Sequence, residues 1–366
     1  MGQAEPLTLT ETTAATGRAR SVLAKRLADI ICLPSSVIGP QERWIVGDLL
    51  HEILRNSDAA IRRRCAERLA EIKDAPANIV KLLAADTIGI AAPLLEHSEA
   101  LSDFDLMEVC RLGSLDHRVM IASRETVSET VSATLASVGE PAVVTALLRN
   151  DHARLAPPTV SHLVSLAEDE PSYVKPLLKR GELRPRAALQ LFWLCDHESR
   201  KAILNRFAVG RTLMIEAAED VFGFAAEEGW NDPLVNRALK FVDRRQRNRQ
   251  AGEDSAYGSL EGVIATMRSE GPTPALVEEL ALLAGISDAL AERVCGDLGG
   301  EPAAILCKAT GADRDVLNTF CEAFQGLVGG GGRDRAFQIY DGLSVEKAQT
   351  VLRYWDLSKA AESRSR

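Results

Sequence analysis

Aromatic residues make up 5% of the 366-residue chain, and no run of β-branched residues alternates with polar ones between turn pairs, so the usual signature of a sheet is missing. An excess of positive charge is missing too. The 43 Lys+Arg against 52 Asp+Glu leave a formal charge of -9, which repels phosphate unless basic residues gather on one face. No stretch approaches the roughly 18 apolar residues of a membrane span. The opening "MGQAEPLTLTETTAATGR" lacks a basic segment leading into an apolar run, and Pro6 stands where a myristoylation signal places Ser or Thr. The seven cysteines (Cys32, Cys65, Cys110, Cys195, Cys295, Cys307, Cys321) are scattered singly, odd in number and without a CxxC pair. That usage fits core thiols in a reducing compartment, and the expected location is the cytoplasm.

Helical periodicity is abundant. Leu23, Leu27, Ile30 and Ile31 recur at helical spacing until "LPSS" stops them, and in "SDAAIRRRCAERLAEI" Ile61, Cys65, Leu69 and Ile72 share one face behind Ser57 or Asp58 as cap. The fold class is therefore all-α, with about 20 helices for a chain of this length. "DTIGIAAPLL" and "DEPSYVKPLL" both read Asp-x6-Pro-Leu-Leu and begin at Asp86 and Asp169. Their spacing is twice the roughly 40 to 47 residues of a HEAT or armadillo unit, so a HEAT- or armadillo-like solenoid is expected, followed by a C-terminal helical domain. The boundaries predicted are a disordered 1–18, a HEAT-like repeat domain over 19–250, a linker over 251–259 and a C-terminal helical domain over 260–366. The array closes with a helix capped by Asp232 with Pro233 behind it. Gly329 to Gly332 break the second domain with a hinge or loop, and the last helix carries Ala348, Val351, Leu352 and Trp355 as a stripe that must dock.

Catalytic patterns are not found. Six histidines make no HExxH, no Ser sits in GxSxG, and the glycine run followed by "RDR" is not a phosphate loop. Asp-His recurs at Asp116, Asp151 and Asp196, where Asp as a helix cap explains the pair without a metal. Glu216, Glu219 and Asp220 can share a face, but no Glu-x-x-His accompanies them, and a solvated acidic face accounts for them. Neither a cofactor nor a metal is expected, and the chain reads as a non-enzyme.

Two arginine groups are the candidate partner contacts. In "VDRRQRNRQAGED", with Lys240 set at zero and about 100° per residue, the apolar face ends at Val242. Arg245 and Arg249 continue that face, while Arg244 and Arg247 lie opposite. An unpaired buried cation costs several kcal/mol, so the helix is expected to leave its domain there. Arg62 and Arg63, with Arg64 and Arg68, flank Glu67 and Glu71, where i, i+4 pairing is available.

"LAKRLADIICLPSSVIGPQERWIVGDLLHEIL", "SDAAIRRRCAERLA" and "PLLEHSEALSDFDLMEVCR", in that order, resemble an uncharacterised alphaproteobacterial domain-of-unknown-function family whose members look like HEAT-repeat proteins. The resemblance implies that Asp58 caps a helix and Arg62 reaches a neighbouring unit. It lends no catalytic residue. The expected function is a non-enzymatic protein–protein scaffold or regulatory adaptor using a curved helical surface, with self-association left open. The alternative is a nucleic-acid-binding HEAT-like protein of the DNA glycosylase type. That alternative requires Arg62, Arg63, Arg118, Arg124 and Arg154 along one concave stripe beside Trp44 or Trp193.

Overall fold

The computed structural model describes residues 9–34, 36–210, 249–324 and 331–362. Among them lie 21 α-helices, two 3-10 turns and no strand beyond the single bridge Val127↔Ala153. The chain divides into two compact units, residues 1–182 and 183–366.

The first unit holds α1 (Leu9–Ile31), α2 (Pro40–Arg55), α3 (Ala59–Leu69), α4 (Ala77–Ala84), α5 (Ile88–His97), α6 (Asp103–Leu112), α7 (Leu115–Ala122), α8 (Glu129–Val138), α9 (Pro141–Arg149), α10 (Pro157–Asp169) and α11 (Val174–Lys179). α1 begins at Leu9, inside the segment that the sequence assigns to disorder. The helices pack in two parallel series: α1, α3, α5, α7, α9 and α11 each touch the next in that order, and α2 touches α4 while α6, α8 and α10 do the same. Such packing follows from α3 to α9 being only two to three turns long, each with one apolar face. Ile79, Val80 and Leu83 of α4, or Val143, Val144 and Leu147 of α9, are fully buried, and only stacking against neighbours can hide so short a stripe.

The step between successive units is shorter than the internal repeat predicts. α5, α7 and α9 begin at Ile88, Leu115 and Pro141, steps of 27 and 26 residues. The two Asp-x6-Pro-Leu-Leu segments sit on α5 and on the turn into α11, three helix pairs apart, with a longer last step of 33 residues from Pro141 to Val174. Their spacing therefore spans three helix pairs and not two.

The second unit holds α12 (Pro185–Leu191), α13 (His197–Phe207), α14 (Arg249–Asp254), α15 (Leu260–Glu270), α16 (Pro274–Ala284), α17 (Asp288–Gly296), α18 (Glu301–Thr310), α19 (Arg314–Ala323), α20 (Gly332–Gly342) and α21 (Val345–Glu362). α18 is the hub. Its residues are buried on nearly every side, and it touches α17, α19, α20 and α21. Ala303, Ala304 and Ala309 are small enough to let those helices approach. The Ala348, Val351, Leu352 and Trp355 stripe of α21 is buried as the periodicity predicts. Trp355 stacks on Trp193 with centroids 4.6 Å apart and donates Nε1–H to the Leu189 carbonyl at 3.0 Å. The segment expected to be a linker opens with α14, whose Ala251 is buried and which packs on α16. The contact boundary at Glu182/Leu183 lies well before that segment.

All seven cysteines are free thiols, five of them buried. Burial pushes Cys65 and Cys321 to about 11 and Cys110, Cys195 and Cys295 to about 12, which favours the thiol over the thiolate.

Candidate interaction surface

The arginines of the first unit are turned inward in a repeated pattern. Arg62, on the first turn of α3, donates Nε–H to Asp86 at 2.6 Å and Nη1–H to the Ser57 carbonyl at 2.6 Å. Arg118, at the same position of α7, donates Nε–H to Glu140 at 2.7 Å and Nη1–H to the Gly113 carbonyl at 2.7 Å. Each ties its own helix start to the entry of the helix two further on.

A second series closes the helix ends. Arg124 is buried and donates to the carbonyls of Leu95 and, at 2.9 Å, Ser98 at the end of α5. Asn150 donates to Ala122 and Arg124 carbonyls at 2.8 and 2.7 Å after α7, and Arg180 to Asn150 at 2.6 Å and to Ala153 after α9. The last carbonyls of a helix have no partner within it, and here a side chain from the next step supplies one. Burial draws the Arg124 guanidinium below its ordinary value, whereas Arg118 is held above its own by the Glu140 carboxylate.

The basic stripe demanded by the nucleic-acid alternative is therefore not assembled by Arg62, Arg118 and Arg124. Arg63 does lie outside, paired with Glu67 at 3.0 Å one turn on. Arg68 pairs with Asp29. Arg244, Arg245 and Arg247, the cap pair Asp232 and Pro233, and the acidic trio Glu216, Glu219 and Asp220 lie outside the described residues, as does the side chain of Arg249. Of the Asp-His pairs, Asp196 caps α13 by accepting from the Ser199 amide at 2.8 Å. At α7 the cap is Ser114, whose backbone meets His117 Nδ1, and Asp151 lies in a turn.

The second unit contains a buried ionic cluster with no sequence precedent in the patterns considered above. Arg200 donates to Asp297 Oδ1 at 2.8 Å and to Glu301 Oε2 at 2.7 Å, and Glu301 Oε1 meets His197 Nδ1 at 2.8 Å. Burial works against the Arg200 charge, but the two carboxylates outweigh it and hold the guanidinium above its ordinary value. Both glycines of "DLGGEP" are dictated by this cluster. A Cβ on Gly299 would strike Glu301 and Arg200, and Gly300, at φ 86°, has the Gly332 carbonyl against the place of a Cβ. With both Glu301 oxygens engaged, the cluster locks α13 to α18 and offers no open carboxylate for acid–base work. Among the described residues no group of three or more His, Cys, Asp or Glu could hold a metal ion, and no helix is long and apolar enough to cross a membrane.

One open feature of the first unit is an apolar-walled cavity near its N-terminal end. Trp44 is 64% exposed and rims a cavity of about 310 Å³ lined by Ile38, Pro40, Arg43, Asp74 and Pro76. Local sequence builds it. Pro40 starts α2 at its first position, and Gly47 lets Pro76 approach to where a Cβ would stand. Arg43, buried below, donates to the Leu33 carbonyl at 2.9 Å. Of these, only Trp44 could be singled out in the sequence, as a rare aromatic; the cavity depends on Pro76, more than thirty residues away.

A family model described as an uncharacterised protein conserved in bacteria (DUF2336) matches residues 90–353. No curated protein and no solved structure matches the chain.

Proposed function

The chain belongs to the family of uncharacterised proteins conserved in bacteria (DUF2336), and we propose that it is a non-enzymatic interaction module, a scaffold or regulatory adaptor whose first unit is a HEAT-like helical-repeat array with short steps. Three features support the array: the paired helix series, the equivalence of Arg62 and Arg118, and the carbonyl-closing Arg124, Asn150 and Arg180. The observation that carries the binding role is Trp44, an exposed indole beside an apolar-walled cavity. Exposed Trp at a pocket is the residue type that dominates protein–protein binding energy, and the cavity beside it has room for an anchoring side chain of a partner. The partner is a protein with an apolar anchor, and the cytoplasm is the compartment this role calls for.

The test is quantitative affinity capture from the native cell, with the full-length chain and Trp44→Ser as parallel baits. A protein enriched by the first and reduced at least tenfold on the second supports the role. Equal recovery on both baits, or a nucleic acid recovered with salt-sensitive affinity, overturns it.

A further inference from the structure

The α1–α2 hairpin carries exposed apolar side chains on one face. On α2, the buried Arg43, Gly47, Leu50 and Leu54 fall within an arc of about 60° at 100° per residue, and that arc faces α4 through the Gly47–Pro76 approach. Ile45 and Leu49 lie roughly 200° and 240° from Arg43 on this count, on the opposite side, and are 55% and 56% exposed. On α1, Asp29 faces α3 through its pair with Arg68, and Leu23 and Ile30, roughly 120° and 100° round the helix from it, are also exposed. Half-buried Val46 and Ile53 complete the stripe. Contiguous exposed apolar side chains of this kind mark an interaction face.

Charge identifies what covers it. The exposed charges of α1 from Arg18 onward are Arg18, Arg20, Lys25 and Arg26 against Asp29 alone, whereas α2 exposes Glu42, Asp48 and Glu52 against Arg55. A basic helix beside an acidic one is self-complementary. A two-fold axis running between them, parallel to both, lays α1 of one copy on α2 of the other. The hydrogen bonds Arg20 to the Asn56 carbonyl and Arg43 to the Leu33 carbonyl set which residues lie level across the hairpin. In that register Leu23 meets Ile53 of the second copy, Ile30 meets Val46 between Ile45 and Leu49, and Arg26 falls between Asp48 and Glu52. The alternative axis, across the helices, stacks α1 on α1 and sets like charges together.

We propose that the α1–α2 face is a homodimer interface, in which two copies form an antiparallel four-helix layer with α1 of each on α2 of the other. The area suffices. α2 is about 24 Å long at 1.5 Å per residue, and two helices side by side give a face about 20 Å wide. The resulting projected area, of order 500 Å² per copy, reaches the roughly 1,000 Å² total that a specific interface requires. The interface is separate from the Trp44 cavity, since Trp44 points about 100° away from Ile45 on α2.

Analytical ultracentrifugation of the full chain from about 0.5 to 50 μM, a span that brackets typical dimer constants, tests this. The expected species is a dimer of twice the 39.6 kDa chain, and the Ile45→Glu/Leu49→Glu variant, substituted only at exposed positions, is expected to dissociate at least 100-fold more readily with an unchanged circular dichroism spectrum. A second arm keeps the proposal falsifiable if that variant fails to fold: Arg26→Glu alone and Asp48→Lys/Glu52→Lys alone each weaken self-association, and mixing the two restores a dimer. A monomer throughout the range, or a dimer that survives all these variants, overturns it.

Discussion

Replacing Arg124 with alanine tests whether the first unit is held together by side chains that close the preceding helix ends. Arg124 is buried and donates to the Leu95 and Ser98 carbonyls after α5, with a longer contact to Leu94. Alanine removes these charge-assisted bonds, leaves carbonyls without partners in a dry site, and opens space where the guanidinium lay. Such losses amount to about 3 kcal/mol. For a unit of residues 1–182, that converts to a drop of about 6–12 °C in Tm. Differential scanning calorimetry reads the drop, and hydrogen exchange on peptides spanning α5 and α7 assigns it to the first unit. Arg63→Ala is the control, because an exposed one-turn pair with Glu67 is worth only about 0.5 kcal/mol and should shift Tm by about 2 °C or less. A loss below 2 °C for Arg124→Ala, or equal losses for both, would refute the role assigned to Arg124.

Gly299→Ala places a methyl against Glu301 and Arg200 and should destabilise the second unit by about 2–4 kcal/mol; an unchanged calorimetric transition would show that the cluster relaxes freely. Asp105 is buried, which favours its neutral form, but the Lys81 ammonium and the Ser102 hydroxyl and amide outweigh that and hold its carboxyl below the ordinary 3.8. Its stabilising contribution is therefore complete above the ordinary value and lost as pH falls through the lowered one. Acid unfolding below about pH 4 should be shallower in Asp105→Asn, and identical acid limbs would contradict the assignment. Generic duplex DNA should produce no salt-sensitive gel shift with the full chain, and a shift that weakens steeply between about 50 and 200 mM salt would restore the nucleic-acid alternative.

The helical class and many of the ends were legible because local chemistry decides them. Ser102 and Asp105 form the capping box that their spacing announces, and Pro274 starts α16 at the first turn. Near Ser57 the chain chose between two caps: Asp58 takes the cap position while the Ser57 hydroxyl turns back to the Ile53 carbonyl at 2.7 Å. The polar ladder was not legible, because Arg124, Asn150 and Arg180 look like surface residues after helix ends. Only the stacked neighbour turns them inward. Nor could the Arg200 cluster be read, since Asp297 and Glu301 lie about a hundred residues from it in the chain and meet it only through the α13–α18 contact. Gly299 and Gly300 carried the one local hint, a glycine pair beside two acids.

Whether Trp44 contacts a partner protein is read by a photo-crosslinking residue in its place, irradiated in the native cell. A discrete covalent adduct with a heterologous protein is expected, absent when the crosslinker replaces the exposed Arg63 instead. Adducts to nucleic acid, or the same adducts from both positions, would contradict it.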